Sequence, residues 1–453
     1  MDRTLQKLST YACALSYEDL RPEVVHAVKR TLIDTIGCAI GGLDEEAPRI
    51  ARQLGESVSG RQPARIWGTG SATSPDMAAF VNGVAVRYLD CNDSYFNPGG
   101  GHPSDMIPAI LALAEPLGRN GRDVITAIVL AYEVFCRLSD EMEVRELGWD
   151  QGMLSVIGAA CGAGKILGLD DERMPQAITL AVVPNVALDV TRIGHLTMWK
   201  GCATASANRA AVFAAQLAAL GMTGPAESFE GKHGFWEQIC HEQRSLDAMG
   251  GGSEPFRILN TTFKSFPSQI DTQGPIGLAL ELRQRVAPAE IASIHIDSYR
   301  TAMRNAATEP AKWDPQTRET ADHSIPYCVA VALTDGEVTP ASFTEARVRD
   351  PQLRPLLGKM TIEENPDFSA RHPREFNCRM TITTVTGEQH VAELRYPLGN
   401  ARNPLSDADV EAKLRRLAGA ALGELGCQAV LERCWALDEQ AEMKPLLASL
   451  EVK

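Results

Sequence analysis

GCATASANRAAVFAAQLAAL, residues 201–220, is the stretch whose reading decides the fold. Its pattern is helical from 203 to 220, and Gly221 closes the run. Most of its side chains are small. Small residues at helical spacing let helix axes approach closely, so the stretch reads as part of a tightly packed helical domain. GAACGAGK at 158–165 has the same character, inside a run spanning 154–168. Working outward, 21–42 starts on Pro22, spaces Val25, Val28, Leu32 and Ile36 three to four apart, and stops at Gly41-Gly42. Residues 107–117 and 122–138 repeat the pattern, so the chain reads as helix after helix to about residue 265.

The character changes after about residue 270. IASIHIDS at 291–298 alternates as a half-buried strand does. Residues 377–395 read as two strands joined near Thr386-Gly387, and 325–334 as a helix between these segments. From 403 the pattern is helical again, opened by Pro404, Ser406, Asp407 and Asp409. The expectation is therefore a mainly α protein. Its large helical domain is built from both chain ends (1–268 and 400–453), and a smaller α+β domain occupies 269–399.

At 453 residues the chain is long enough for two domains and a sizeable core. Charged residues total 23%, and acidic side chains exceed basic ones by 58 to 44, a formal net charge of −14. Such a surface argues against nucleic-acid or anionic-membrane partners and leaves a bound anion to a local cluster of Lys, Arg or His. The eleven cysteines include no Cys-x-x-Cys pair, which argues against a zinc ribbon or a sequence-readable iron–sulfur cradle. The start MDRTLQKLST lacks the apolar core of a secretory signal, and no apolar run is long enough to span a membrane. The expectation is a soluble, cytoplasmic protein.

Four segments hold the chemistry-bearing residues. YLDCNDSYFNPGGGHPSD at 88–105 gathers Asp90, Asn92, Asp93, Ser94, His102, Ser104 and Asp105 around three glycines, as an irregular polar loop between apolar helices. The same residues also suit turn and helix capping. No GxxxxGK[ST] pattern is present, and His102 lacks a second His at ligand spacing. TRIGHLTMWK at 191–200 brings Arg192, His195 and Lys200, and FKSFPSQ at 263–269 puts Lys264 and Gln269 in a Pro-bent segment. RETADHSIPY at 318–327 sets His323, Ser324 and Tyr327 at a helix start, with Pro326 in its first turn. Taken singly, each segment also has a structural reading: a snorkelling lysine, or a histidine satisfied in the core.

Taken together they resemble the MmgE/PrpD family, which includes 2-methylcitrate dehydratases, cis-aconitate decarboxylases and iminodisuccinate epimerases. The resemblance runs from TLIDTIGCAIGG (31–42) through VNGVAVRYLDCNDSY, GHPSD, TMWKG, FKSFP, WDPQTRETADHSIPY and DGEVTPASF to NPLSDADVEAK (403–413). It implies a helical body, an α+β lid, a homodimer, and a small-molecule di- or tricarboxylate substrate handled without a cofactor or metal. It implies Asp90, His102, Lys200, Lys264 and Tyr327 as catalytic residues. Ser94, Gln151, Gln269 and His323 are implied as substrate-binding. The decarboxylase branch carries histidines where this chain has Gln151-Gly152 and Gln269. Two imidazoles fewer argue against decarboxylation of cis-aconitate and for a substrate with fewer charges, or one held differently.

The shared chemical problem of that family is moving a proton from carbon next to a carboxylate. It requires a base, cations on the carboxylate, and an acid for the leaving group. The reading expects Lys200 and Lys264 on carboxylates and His102 as base, with Asp90 as its partner or as the base itself. Tyr327, carried by the lid, is expected as the acid. A hydro-lyase is the leading expectation. An epimerase using the same proton abstraction, and a non-catalytic carboxylate-binding homologue, stand beside it.

Overall fold

The structure is a computed structural model describing all residues except Asn97, Pro98, His195, Asp247 and Lys453. His195, one of the polar residues of 191–200, therefore lies outside the described residues. The chain divides into two units. The first comprises Met1–Gly194, Met198–Thr261 and Ser406–Lys453, and the second contains Thr262–Leu405.

The first unit is helical. The helix Ala203–Ala219 buries Ala205, Ala207, Ala211, Val212, Ala214, Ala215 and Ala218, and packs on the helices Gly152–Leu167, Pro75–Tyr88 and Met174–Val182. The small side chains let backbones come close: a Cβ at Gly158 would stand 2.7 Å from the Ala131 carbonyl of the helix Gly121–Glu141. The helix Pro22–Gly41 begins on a proline whose missing N–H costs nothing at a first turn, and packs on Asp407–Trp435. That last helix is two segments in one, because Gly423 interrupts it with φ 66° and ψ 173°. Ser406 starts it with a reciprocal cap: its hydroxyl accepts from the Asp409 N–H, and its own N–H donates to the Asp409 carboxylate.

The second unit is built on a four-stranded sheet in the order Met360–Glu364, Ile291–Ser298, Cys378–Thr384, Gln389–Leu394. The first pair is parallel and the other two are antiparallel. Ile294 and Ile296 lie opposite Met360 and Ile362 on one side and Ile382 and Met380 on the other. Ile291 is also buried, out of phase with Ile294 and Ile296, because the register shifts between Ile291 and Ser293. The strand Met360–Glu364 was not anticipated: it is five residues long and ends on two glutamates, too little alternation to read. The helix Ile325–Asp335 starts as expected, with Ser324 as its cap and Pro326 in the first turn, and stops at Gly336 with φ 79°.

Among the described residues, no helix is long and apolar enough to cross a membrane. All eleven cysteines are free thiols, and all but Cys13 are buried.

Candidate active site

In the first unit the chemistry gathers where the helix Pro75–Tyr88 ends. Asp90 follows two residues later in a left-handed conformation (φ 51°), which a non-glycine residue adopts only when its surroundings hold it there. Its carboxylate meets two cations: Arg87 Nη1 lies 2.6 Å from Oδ1, and Lys200 Nζ lies 3.1 Å from Oδ2. All three side chains are buried. Arg87 also reaches toward Asp105, with Nε 3.8 Å from Oδ2. Burial raises the Asp105 carboxyl above the usual range, against the opposing effect of Arg87.

The loop that follows closes on itself. Tyr95 and Gly101 exchange backbone hydrogen bonds of 2.8 and 2.9 Å, which bring His102 back toward Asp90. Gly101 leaves room for a close approach, because a Cβ would fall 2.1 Å from Gln151 Oε1 and 2.6 Å from Phe135 Cζ, and both would have to shift. That oxygen accepts the His102 backbone N–H at 2.6 Å. The ring of His102 is oriented by its Nδ1, which lies 2.7 Å from the Asp93 carbonyl and 3.0 Å from Ser94 Oγ. A carbonyl oxygen can only accept, so Nδ1 carries the hydrogen, and in the neutral ring Nε2 carries the lone pair. Nε2 stands 4.0 Å from Asp90 Oδ1. Behind the loop, Asp93 accepts from Tyr132 Oη at 2.8 Å and from the Ser104 N–H at 3.1 Å; burial pushes its carboxyl up to about 7, against those hydrogen bonds.

Lys200 is anchored through its main chain. Arg192 Nη1 donates to the Lys200 carbonyl at 3.1 Å, and Arg192 Nε donates to Asp150 at 2.6 Å. Burial disfavours the Asp150 charge, but Arg192 and the Gly152 N–H outweigh it and hold the carboxyl below the usual range. Asp90, His102, Lys200, Ser94 and Gln151 are thus brought together in one unit. Arg87, Asp93 and Asp150 complete the cluster, as does Asn92, whose Nδ2 donates to Ser104 Oγ and Asp105 Oδ1 at 2.8 Å each; none of the four was assigned a site role from sequence. Arg87 carried a readable signal, lying three residues before Asp90 near the end of a helix.

The remaining expected residues lie in the second unit. Lys264 falls in that unit, whose main segment begins at Thr262. The backbone of its segment is tied within that unit: the Phe263 N–H donates to the Gly399 carbonyl at 2.9 Å, and the Ser265 and Phe266 N–H groups share the side-chain oxygen Oε1 of Gln273 at 3.0 Å each. Lys264 itself is buried. His323 follows Asp322, whose Oδ1 lies 2.5 Å from the His323 Nδ1, so this unit holds a second oriented aspartate–histidine pair.

Two of these side chains are engaged inside the second unit. Gln269 spends both ends of its amide on one neighbour. Its Oε1 accepts the Asp271 N–H at 2.7 Å, and its Nε2 donates to Asp271 Oδ2 at 2.7 Å. It caps the short turn Ile270–Thr272. Tyr327 is fully buried, and its hydroxyl donates to the Ser342 carbonyl at 2.6 Å. Burial raises the phenol well above the ordinary range.

The first unit of this mainly α chain thus holds a buried carboxylate between two cations, with a tautomer-fixed histidine beside it. The comparisons give the family. The MmgE/PrpD N-terminal domain matches residues 6–246 and the MmgE/PrpD C-terminal domain matches residues 266–437, so the chain belongs to the MmgE/PrpD family. It is 28% identical over 433 residues to the cis-aconitate decarboxylase of Homo sapiens, covering 92% of this chain and 88% of that protein. It is 27% identical over 427 residues to the 2-methylcitrate dehydratase of Salmonella typhimurium (88% and 86%). The 2-methylcitrate dehydratase of Cupriavidus necator is 29% identical over 406 residues (83% and 81%). These names place the chain among lyases in general terms.

Proposed function

We propose that the protein is a hydro-lyase that removes a proton next to a carboxylate of a hydroxylated di- or tricarboxylic acid and eliminates water. The observation that carries this reading is the orientation of His102. Its Nδ1–H is held by the Asp93 carbonyl, and its Nε2 lies on the Asp90 side, 4.0 Å from Oδ1. His102 is the base in this reading. Once protonated at Nε2, it faces a carboxylate that stabilises the imidazolium. Asp90 already shares its charge with Arg87 and Lys200, which suits a partner better than a proton acceptor. The positive charge of Lys200 stabilises the substrate carboxylate as negative charge develops on it. In this reading Lys264, of the second unit, is a further carboxylate-binding ammonium. With the Tyr327 hydroxyl donating to the Ser342 carbonyl, His323, oriented by Asp322, takes over the part of proton donor to the leaving hydroxyl.

The same proton abstraction also supports the epimerase reading, in which the proton returns to the opposite face of the carbon. Incubating hydroxy, methyl and amino di- and tricarboxylates with the protein in deuterated water tests both. A new alkene absorbance supports the hydro-lyase. Exchange of the α-hydrogen without alkene replaces it with the epimerase. Thermal stabilisation by an acid with neither signal replaces both with a non-catalytic carboxylate binder.

The proposal includes a homodimer in the cytoplasm. Exposed Val183, Val186, Val190, Ile193, Trp199 and Phe213 of the first unit support an apolar contact with a second copy. The free thiols suit a reducing compartment. A monomeric mass by light scattering would remove the dimer.

A further inference from the structure

Two of the segments that carry the family resemblance have no part in the site described above. TLIDTIGCAIGG supplies Asp34 and NPLSDADVEAK supplies Lys413. In the structure they meet: Lys413 Nζ lies 2.6 Å from Asp34 Oδ1, between the packed helices Pro22–Gly41 and Asp407–Trp435. Both side chains are buried. Burial works against the ammonium, but Asp34 outweighs it and holds Lys413 charged, well above the usual lysine range. The same Nζ donates to the Cys91 carbonyl at 2.6 Å.

Cys91 is the residue after Asp90. Asp90 sits in the left-handed region, a conformation that persists only where neighbouring groups over-determine it. Arg87 and Lys200 grip its side chain. The main chain leaving it is gripped from the opposite direction in sequence, by the far end of the polypeptide. The packing at the spot agrees, since Cys38, Leu89, Cys91 and Leu417 form one buried cluster from the two helices and the turn. A buried ion pair adds little net stability over apolar residues of similar size, so its use here points to position rather than strength.

We propose that Asp34 and Lys413 are positioning residues for the reaction: the ion pair fixes the Cys91 carbonyl, thereby holding the Asp90 turn and the carboxylate faced by His102 and Lys200. The inference rests on the functional reading above, in which Asp90 partners the base. Asp34 directs Lys413, and Lys413 sets the turn. Neither touches the substrate.

The test uses the full-length protein and four variants: Lys413→Met, Asp34→Asn, Lys413→Arg, and the double variant Lys413→Met/Asp34→Asn. Hydrogen exchange is read peptide by peptide, and kcat and KM are read on any acid of the panel that the wild type turns over. The expected result is faster amide exchange confined to peptides covering residues 88–95 in Lys413→Met and Asp34→Asn. The helix Ala203–Ala219 keeps its wild-type protection. Where turnover is measurable, kcat falls by about 10- to 100-fold with KM nearly unchanged, the size of effect a misplaced catalytic group produces. Lys413→Arg, which keeps a charged donor, recovers most of both signals, and the double variant resembles the singles. Faster exchange spread evenly over the first unit would overturn the proposal in favour of a merely structural pair. Wild-type protection at 88–95, or a wild-type kcat in Lys413→Met, would overturn it as well. A wild type inactive on every acid would count against the functional reading, while the exchange data would still decide whether the pair holds the turn.

Discussion

The ammonium of Lys200 lies 3.1 Å from the carboxylate of Asp90, and Arg87 occupies the other oxygen of that carboxylate at 2.6 Å. A buried carboxylate that loses its sole cation costs about 3–5 kcal/mol. Here the second cation stays behind when the first is removed. Lys200→Met is therefore expected to keep its helical content and melt only modestly earlier, while its turnover falls about 10²- to 10³-fold, as when a charge-stabilising group is deleted. Circular dichroism, thermal melting and kcat on the acid panel read the two effects separately. A normal kcat would remove Lys200 from the mechanism.

Asp93 makes stability depend on pH in an unusual direction. Burial lifts its carboxyl to about 7 in the fold, above an unfolded value of about 3.9. Between those two values the native state holds a proton that the unfolded chain has released. This group's contribution therefore falls as pH rises through the window from about 4 to about 7, and is constant outside it. The size is on the order of 4 kcal/mol, from roughly three pH units at 1.36 kcal/mol each. Asp93→Asn removes the titration and can still accept the Ser104 N–H. Urea unfolding of both proteins across that window should show the variant's stability holding up better toward the high end. Parallel curves would mean that Asp93 does not titrate there.

The helices were legible because their signals are local. Pro22 and Pro326 open helices, Gly168, Gly221 and Gly336 follow their ends with positive φ, and the alternation of 291–298 marks a strand. What escaped reading depends on distance along the chain. Nothing near Lys264 in sequence says that its backbone is bound to Gly399 and Gln273. Arg192 with Asp150, and Lys413 with Asp34, are pairs of ordinary charged residues until the fold brings them together. The site residues were legible only as a constellation, through the family's motifs. Which atoms the polar ends of Tyr327 and Gln269 meet is something a motif does not record.

Tyr327→Phe separates a phenol that transfers a proton from one that holds the fold. The hydroxyl donates to the Ser342 carbonyl inside the second unit, and its loss leaves that acceptor unsatisfied. A stability loss of about 1–3 kcal/mol is expected, with turnover in the folded protein changed by no more than a few-fold. Loss of activity at wild-type stability would return Tyr327 to the chemistry.

Gln151 and Gln269 should behave differently from each other. Gln269 is bound at both ends to Asp271, which also accepts from Asn305 at 3.0 Å, so the network has other support. Gln269→Ala is expected to cost about 1–2 kcal/mol, the range of a lost helix cap, and to leave kcat close to wild type. Gln151 instead holds the backbone of His102 at 2.6 Å, one residue from a glycine packed against its own oxygen. Its removal frees the loop that aims the base. Gln151→Ala is therefore expected to lower kcat by about 10- to 100-fold, since small misplacements of a reacting group carry penalties of that size. Thermal melts and kinetics on the two variants side by side check the contrast. Equal effects on kcat would show that the position of His102 does not depend on Gln151.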